Sequence, residues 1–235
     1  LAEGWRDLRA APQFGLLFGS IYVAGGLLIL LCVLVLGMGY LVYPLAAGFA
    51  MIGPLVAVGP YEVSRRRETG EPLSWRSIFR AVTTQGGQQL GCMAFVTLFL
   101  FIIWMYQVRL LLALFLGLKP IASLDRFVTI VLTTQDGLMF LAVGHVVGAI
   151  LALVAFSLTV VSLPLLVDRD VDCVTAMITS VQAVIANPRT MLAWGLTVAA
   201  LLAIAMLPLF LGLLVVLPVL GHATWHLYRK AVAPA

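Results

Sequence analysis

The sequence predicts an all-α fold: a polytopic membrane protein with six transmembrane helices, grouped as three hairpins that each follow an interfacial amphipathic helix. Composition is the first reason, because 63% of the residues are hydrophobic and 10% are charged, whereas soluble domains carry about 25% charged residues. The second reason is the layout. Apolar runs long enough to cross a hydrocarbon core of about 30 Å end abruptly in charged residues, as residues 138–167 do at Asp168. We interpret residues 1–235 as a single transmembrane domain.

The first hairpin follows residues 1–12, in which charged and apolar side chains are mixed. A helix of this kind lies on the lipid headgroups with its apolar side in the acyl boundary, and Pro12 is predicted to end it. Spans one and two are predicted at residues 14–37 and 45–63. The chain begins with Leu1 rather than Met, so we expect further residues to precede it.

The second and third hairpins have the same design. Trp75, Ile78, Phe79 and Val82 recur at helical spacing, which predicts an interfacial helix before span three. The third apolar run, residues 90–118, is longer than a span needs, and span three is predicted to end near Tyr106. Span four is predicted at residues 137–167, and spans five and six at residues 189–206 and 207–227. A second apolar helical face precedes span five in the connector at residues 168–188, formed by Val174, Met177, Ile178, Val181 and Ile185. The three units, residues 1–67, 72–170 and 171–230, are interpreted as internal repeats.

The distribution of basic residues predicts the orientation in the membrane. With six spans, eleven of the fourteen Lys and Arg residues fall on the side that holds both termini. Because positive charge is retained in the cytoplasm during insertion, we expect both termini to be cytoplasmic in an inner membrane. The cluster Arg65-Arg66-Arg67 either binds anionic lipid headgroups or acts only as this topology signal.

His145 is the only ionisable residue that we place well inside a predicted span. We expect it to form a hydrogen bond inside the bundle or at a subunit contact. A relay for a solute or a proton is the next interpretation, and haem ligation with a second histidine is the least favoured. The chain has three histidines, too few for the haem–copper centre of a catalytic oxidase subunit. No cofactor is therefore expected.

Two other groups of residues resemble metal sites. His222 and His226 are four residues apart on one helical face, a spacing that suits a metal ion, but no carboxylate or cysteine accompanies them locally. We interpret them, together with the aromatic residues Trp75, Trp225 and Tyr228, as an interfacial girdle. Asp168, Asp170 and Asp172 lack the glycine turn and downstream Glu of a calcium loop, so we expect no metal there. Cys32, Cys92 and Cys173 match no metal or disulfide spacing and are interpreted as isolated small residues.

Several short motifs together are similar to an uncharacterised bacterial family of six-span integral inner-membrane proteins, a domain of unknown function. They are GPL at 53–55, YEVSRR at 61–66, GEPLSW at 70–75, SLPLLVDRD at 162–170 and LPVLGHATWHLYR at 217–229. Some members of that family are labelled as cytochrome c oxidase subunits. The resemblance therefore implies a respiratory connection and no catalytic residues.

We favour a non-catalytic accessory or assembly subunit of an inner-membrane complex, with other membrane subunits and phospholipid as partners. The alternative is a transporter or channel for a small solute or lipid, because transporter folds also use repeats and Pro- or Gly-broken spans. An enzyme is the least favoured class, since polar residues converge in none of the spans. No segment is basic and polar enough to indicate nucleic-acid binding.

Overall fold

A computed structural model describes residues 1–36, 42–81, 87–117 and 124–232. All regular structure in these ranges is helical, without a β-strand, which confirms the predicted all-helical class. The helices are α1 (Ala2–Ala10), α2 (Pro12–Leu30), α3 (Val42–Thr69), α4 (Trp75–Arg80), α5 (Gly87–Phe115), α6 (Leu124–Thr133), α7 (Gln135–Thr159), α8 (Ser162–Asp168), α9 (Cys173–Ala186), α10 (Pro188–Met206) and α11 (Leu213–Ala231). A π-helical turn, Leu31–Val35, continues α2. The predicted end of span one, at Gly37, lies outside the described residues. Helix α5 continues beyond the predicted end of span three near Tyr106, to Phe115.

Four helical stretches of the described chain are long and apolar enough to cross a bilayer: Pro12–Leu30, Gln89–Phe115, Gln135–Asp168 and Pro188–Met206. They coincide with predicted spans one, three, four and five. Predicted spans two and six correspond to α3 and α11, helices of 28 and 19 residues that carry buried polar side chains. Six crossings and their grouping into hairpins remain predictions.

The helix boundaries follow from local chemistry. Pro12 and Pro188 stand at the first positions of α2 and α10, where the missing N–H costs nothing and the fixed φ suits a helix. Ser74 caps α4, because its Oγ accepts a 3.2 Å hydrogen bond from the Ser77 amide. Asp172 caps α9 in the same way through the Thr175 amide, at 2.9 Å. Side-chain oxygens at these positions satisfy amides that have no partner within the helix.

The chain forms two compact units. The first unit comprises Leu1–Thr97 and Ser157–Ala235, and α11 is its central helix, in contact with α1, α2, α3, α8 and α10. Glycines allow two of these contacts to be very close. A Cβ at Gly4 would lie 2.5 Å from the Val219 carbonyl oxygen, and a Cβ at Gly19 would lie 2.6 Å from that of Leu214. Helices α1 and α2 therefore pack backbone to backbone against α11.

The second unit comprises Leu98–Phe156. It contains the C-terminal part of α5, all of α6 and most of α7. The side chain of Trp104 on α5 contacts α7 at Gly148, where a Cβ would lie 3.4 Å from the indole ring. Trp104 forms one wall of a groove between α5 and α7.

Two of the three cysteines are not isolated, contrary to the sequence-based interpretation. Cys92 on α5 and Cys173 on α9 form a disulfide across 81 residues of sequence. The Cys173 amide also donates a 2.8 Å hydrogen bond to Gln89 Oε1. Local spacing rules miss this pair because the two residues meet only through the packing of the first unit. Cys32 is free and buried.

Candidate functional site

A buried polar network joins α1, α3 and α11 in the first unit, and Asp7 is at its centre. Asp7 is 8% exposed. Its Oδ2 accepts hydrogen bonds from Ser64 Oγ at 2.6 Å and from His226 Nε2 at 2.8 Å. Its Oδ1 accepts a hydrogen bond from Arg67 Nη1, also at 2.8 Å. One carboxylate on α1 therefore binds two side chains of α3 and one of α11.

His222 extends this network into the interior. Its Nδ1 lies 2.8 Å from Ser64 Oγ. Because Ser64 donates its single hydrogen to Asp7, its oxygen accepts from His222, and the proton of the imidazole is therefore on Nδ1. The other nitrogen, Nε2, is buried. The chain Asp7–Ser64–His222 thus ends at a buried imidazole.

The network also sets the charge of Asp7. Burial alone would raise the pKa of the Asp7 carboxyl, but the hydrogen bonds from His226 and Ser64 and the charges nearby outweigh burial and lower that pKa below its ordinary value. Hydrogen bonds to the ionised form favour that form. The carboxylate is accordingly the stable state of Asp7 in the folded protein.

The three arginines predicted to contact lipid headgroups are paired with carboxylates of the protein. Glu62, which is fully buried, binds Arg65 Nε at 2.8 Å and Arg66 Nε at 2.5 Å. Glu71 lies 3.2 Å from Arg65 Nη1 and 3.0 Å from Arg66 Nη1. Arg67 binds Asp7. Their guanidinium groups therefore form ion pairs within α3, with Glu71 after α3, and with Asp7 of α1.

The residues assigned to the interfacial girdle separate into two groups. His222, Trp225 and Tyr228 are buried inside the first unit, because the face of α11 that carries them packs on other helices. Trp225 Nε1 donates to Glu68 at 3.0 Å, and the Tyr228 hydroxyl donates to Asp168 at 2.5 Å. His226 is half-buried against Asp7. Trp75 differs, since it is 41% exposed.

A groove of about 480 Å³ lies in the second unit, between α5 and α7. Its lining includes Trp104, Gln107, Gly144, His145, Gly148 and Ala152. His145 and Gln107 are the polar side chains of this lining, and both belong to apolar helices long enough to cross a membrane. The groove is open on one side. The groove thus brings polar side chains of two candidate spans together.

The surroundings of His145 fix its hydrogen-bonding role. The side chain is exposed, and its Nδ1 lies 2.7 Å from the carbonyl oxygen of Leu141 on the same helix. A carbonyl oxygen only accepts, so Nδ1 carries the hydrogen, and in the neutral imidazole Nε2 is left as an acceptor. Gln107 Oε1 is buried and has no hydrogen-bond partner. The sequence predicted a polar contact at His145 but did not single out Gln107, whose signal is an amide inside an apolar run.

Asp7, Ser64 and Glu62 were also not identified from the sequence. They lie within or beside charged clusters that resemble water-facing segments, and their partners are distant in the chain. Within the described residues, no group of three or more His, Cys, Asp or Glu side chains is arranged to hold a metal ion. The i, i+4 pair of His222 and His226 is instead engaged by Ser64 and Asp7.

Comparison with known protein families identifies the family of this chain. Residues 42–168, more than half of the chain, match the model of a family described as "Predicted integral membrane protein (DUF2189)". No curated protein and no solved structure shows significant similarity to the chain. The match includes α3, the arginine cluster and the His145 groove. The chain is therefore an integral membrane protein and belongs to this family.

Proposed function

We propose that the protein is a non-catalytic accessory or assembly subunit of a bacterial inner-membrane complex, with a respiratory complex as the favoured host. In this proposal a transmembrane helix of a partner subunit occupies the groove of the second unit. The observation that carries it is His145, an exposed imidazole that lines this groove on an apolar helix. Ionisable side chains inside a membrane are costly and face protein or water rather than lipid.

The floor of the groove has the form that helix pairs use in membranes. Gly144, Gly148 and Ala152 follow one another at four-residue intervals and therefore share one face of α7. Small residues at this spacing let a second backbone approach closely. Packing within the described chain does not require a glycine at 144, where a Cβ would meet only Leu111 Cδ1, at 3.9 Å. The space above these residues is consistent with a helix from outside.

We further propose six spans with both termini in the cytoplasm. The ion pairs of the first unit support this topology, because they bring basic residues of different helices to the same end of that unit. Arg67 pairs with Asp7 of α1, while Glu68, the next residue of α3, pairs with Arg229 near the end of α11. Arg229 also pairs with Asp168 at the end of α8. Charged residues of α1, α3, α8 and α11 thus converge, including basic residues of α3 and α11, as a common cytoplasmic face requires.

A transporter for a small solute or lipid is the second candidate. The chain Asp7–Ser64–His222 supports it, because it is a continuous line of hydrogen-bonded polar side chains from α1 through α3 to α11. Uptake by proteoliposomes is the direct test. Transport that requires His222 and is retained in a groove-filling variant would favour this candidate over the accessory subunit.

Co-purification tests the proposed function. The tagged protein is extracted from native membranes in mild detergent, and the proteins that accompany it are quantified by mass spectrometry. Gly144→Leu fills the groove, since a Cβ at 144 has only Leu111 Cδ1 near it, at 3.9 Å, and it is expected to remove the partner. Val146→Leu is the matched control, because Val146 is exposed on the same helix and does not line the groove. A wild-type protein without companions, or equal behaviour of the two variants, contradicts the proposal.

A further inference from the structure

We infer that the partner helix presents a hydroxyl group, from Ser, Thr or Tyr, to His145 and Gln107 in the groove of the second unit. This inference rests on the proposed function, since it names the chemistry of the surface that would fill the groove. The observation behind it is that His145 Nε2 and Gln107 Oε1 have no hydrogen-bond partner within the described residues of the second unit.

His145 requires a donor. Its Nδ1–H is already bonded to the Leu141 carbonyl, so the remaining nitrogen, Nε2, accepts. In a water-soluble protein, a water molecule would donate this hydrogen bond. In a span of a membrane protein the donor comes from another protein group, because each unsatisfied polar group in hydrocarbon costs several kcal/mol.

Gln107 adds a second requirement from the facing helix. Its Oε1 is buried without a partner although the side chain lines the same groove as His145. A side-chain amide offers one acceptor oxygen and two donor hydrogens. A hydroxyl has one hydrogen, which it donates to His145 Nε2, so it accepts from Gln107. Turning the Gln107 amide by 180° places its hydrogens where the unpaired Oε1 lies, and the hydroxyl oxygen then accepts one of them.

A hydroxyl is the smallest side-chain group that meets both requirements. An ionised carboxylate or ammonium fits less well, because the groove lining contains no Asp, Glu, Lys or Arg to compensate its charge. A hydroxyl on a short side chain also keeps the two backbones close, as the floor of small residues at Gly144 and Gly148 allows. Hydroxyls that bond across membrane helices are a recognised means of association.

The test uses variants that preserve the groove but change its hydrogen bonding. His145→Phe and Gln107→Leu remove the polar groups and keep a similar volume, whereas His145→Gln keeps an acceptor near the position of Nε2. Val146→Phe is the control for an added aromatic ring on α7. Each full-length variant is purified from native membranes, and the captured subunit is quantified relative to wild type.

We expect His145→Phe and Gln107→Leu each to lower the captured subunit by about three- to tenfold, the effect of one hydrogen bond between membrane helices. His145→Gln and Val146→Phe are expected to retain it. Cross-linking from Ala152 then maps the facing segment of the partner. Replacing the Ser, Thr or Tyr found there with Ala or Phe should give the same loss, without further loss when combined with His145→Phe.

The outcomes distinguish this inference from the proposed function. If Gly144→Leu loses the partner while His145→Phe and Gln107→Leu retain it, the hydroxyl contact is wrong and the subunit interface stands. A facing segment without Ser, Thr or Tyr also overturns the inference. The inference is overturned as well if His145→Phe loses a bound lipid that the wild type carries and keeps the protein partner. Capture of no subunit by the wild type, or only of a second copy of this chain, overturns the proposed function itself.

Discussion

Ser64 Oγ donates a 2.6 Å hydrogen bond to Asp7 Oδ2 across 57 residues of sequence. The bond fixes α1 to α3, and the same oxygen of Asp7 also accepts from His226 on α11. An N-terminal segment whose composition is typical of a helix lying on the membrane surface is therefore an integral part of the first unit. The first prediction follows from this contact.

Replacing Asp7 with Ala is expected to lower the free energy of unfolding by about 3 kcal/mol, because Arg67, Ser64 and His226 lose a buried charged partner. The measurement is chemical or thermal unfolding of the purified protein in detergent. Asp170→Ala is the control: Asp170 is exposed, and substitutions at such sites stay within about 0.5 kcal/mol. Equal stability of the two variants would show that the network around Asp7 contributes little.

The pH dependence of stability provides the second prediction. Folding lowers the pKa of Asp7, so its carboxylate stabilises the folded state above the unfolded pKa of about 3.9. This contribution is lost as the pH falls through the lowered pKa of the folded state. The melting temperatures of wild type and Asp7→Asn should therefore differ most near neutral pH and converge in acid. A difference that grows as the pH falls would contradict this assignment.

The third prediction concerns the contact between α1 and α11. Gly4→Ala is expected to destabilise the protein by about 1–3 kcal/mol, because the new Cβ would lie 2.5 Å from the Val219 carbonyl oxygen and 2.7 Å from the Ala223 nitrogen. Gly91→Ala is the matched control, since nothing lies within 4 Å of a Cβ there. At this helical position the intrinsic helix propensity favours Ala over Gly by up to about 1 kcal/mol. An unchanged melting temperature for Gly4→Ala would mean that α1 is not packed as described.

Much of the fold was predictable because its signals are local. A hydrophobic content of 63% indicates a membrane protein before any element is placed. The spacing of Trp75, Ile78 and Phe79 predicts helix α4, and Ser74 is the kind of residue that caps one. The apolar runs coincide with the four stretches able to cross a bilayer. Each of these inferences depends on residues within one or two helical turns.

The polar network was not predictable in the same way, since its bonds join residues far apart in sequence. Ser64 and His222 are separated by 158 residues, and Asp7 and His226 by 219. Local pattern placed Trp225 and Tyr228 at the lipid interface because aromatic residues near basic ones usually lie there. Their burial depends on which face of α11 meets α1, α2 and α3, and a single sequence does not contain that information.

The fourth prediction uses the disulfide to test the orientation. In the proposed topology the starts of α5 and α9, which carry Cys92 and Cys173, face the cytoplasm. Cytoplasmic thiols are kept reduced, so the pair is expected to be two free thiols in growing cells and to close on exposure to an oxidant. Cells are quenched with acid, denatured and alkylated, and the modified cysteines are counted by mass spectrometry.

Three alkylated cysteines, including Cys32, are expected in growing cells, and one after oxidation. Cys92→Ser controls the count, because it should show two alkylated cysteines under both conditions. A single alkylated cysteine in untreated wild-type cells would mean that the disulfide persists. The basic end would then face an oxidising compartment, and the proposed orientation would be reversed.

The groove of the second unit gives the fifth and most direct test. A photo-reactive amino acid is introduced in living cells at Ala149, which lines the groove, and separately at Ile150, which is exposed on α7 outside it. After irradiation, the account predicts one discrete adduct with another membrane protein from position 149 and none from position 150. Adducts with lipid alone at position 149, or identical adducts from both positions, would contradict the proposal that a partner helix occupies this groove.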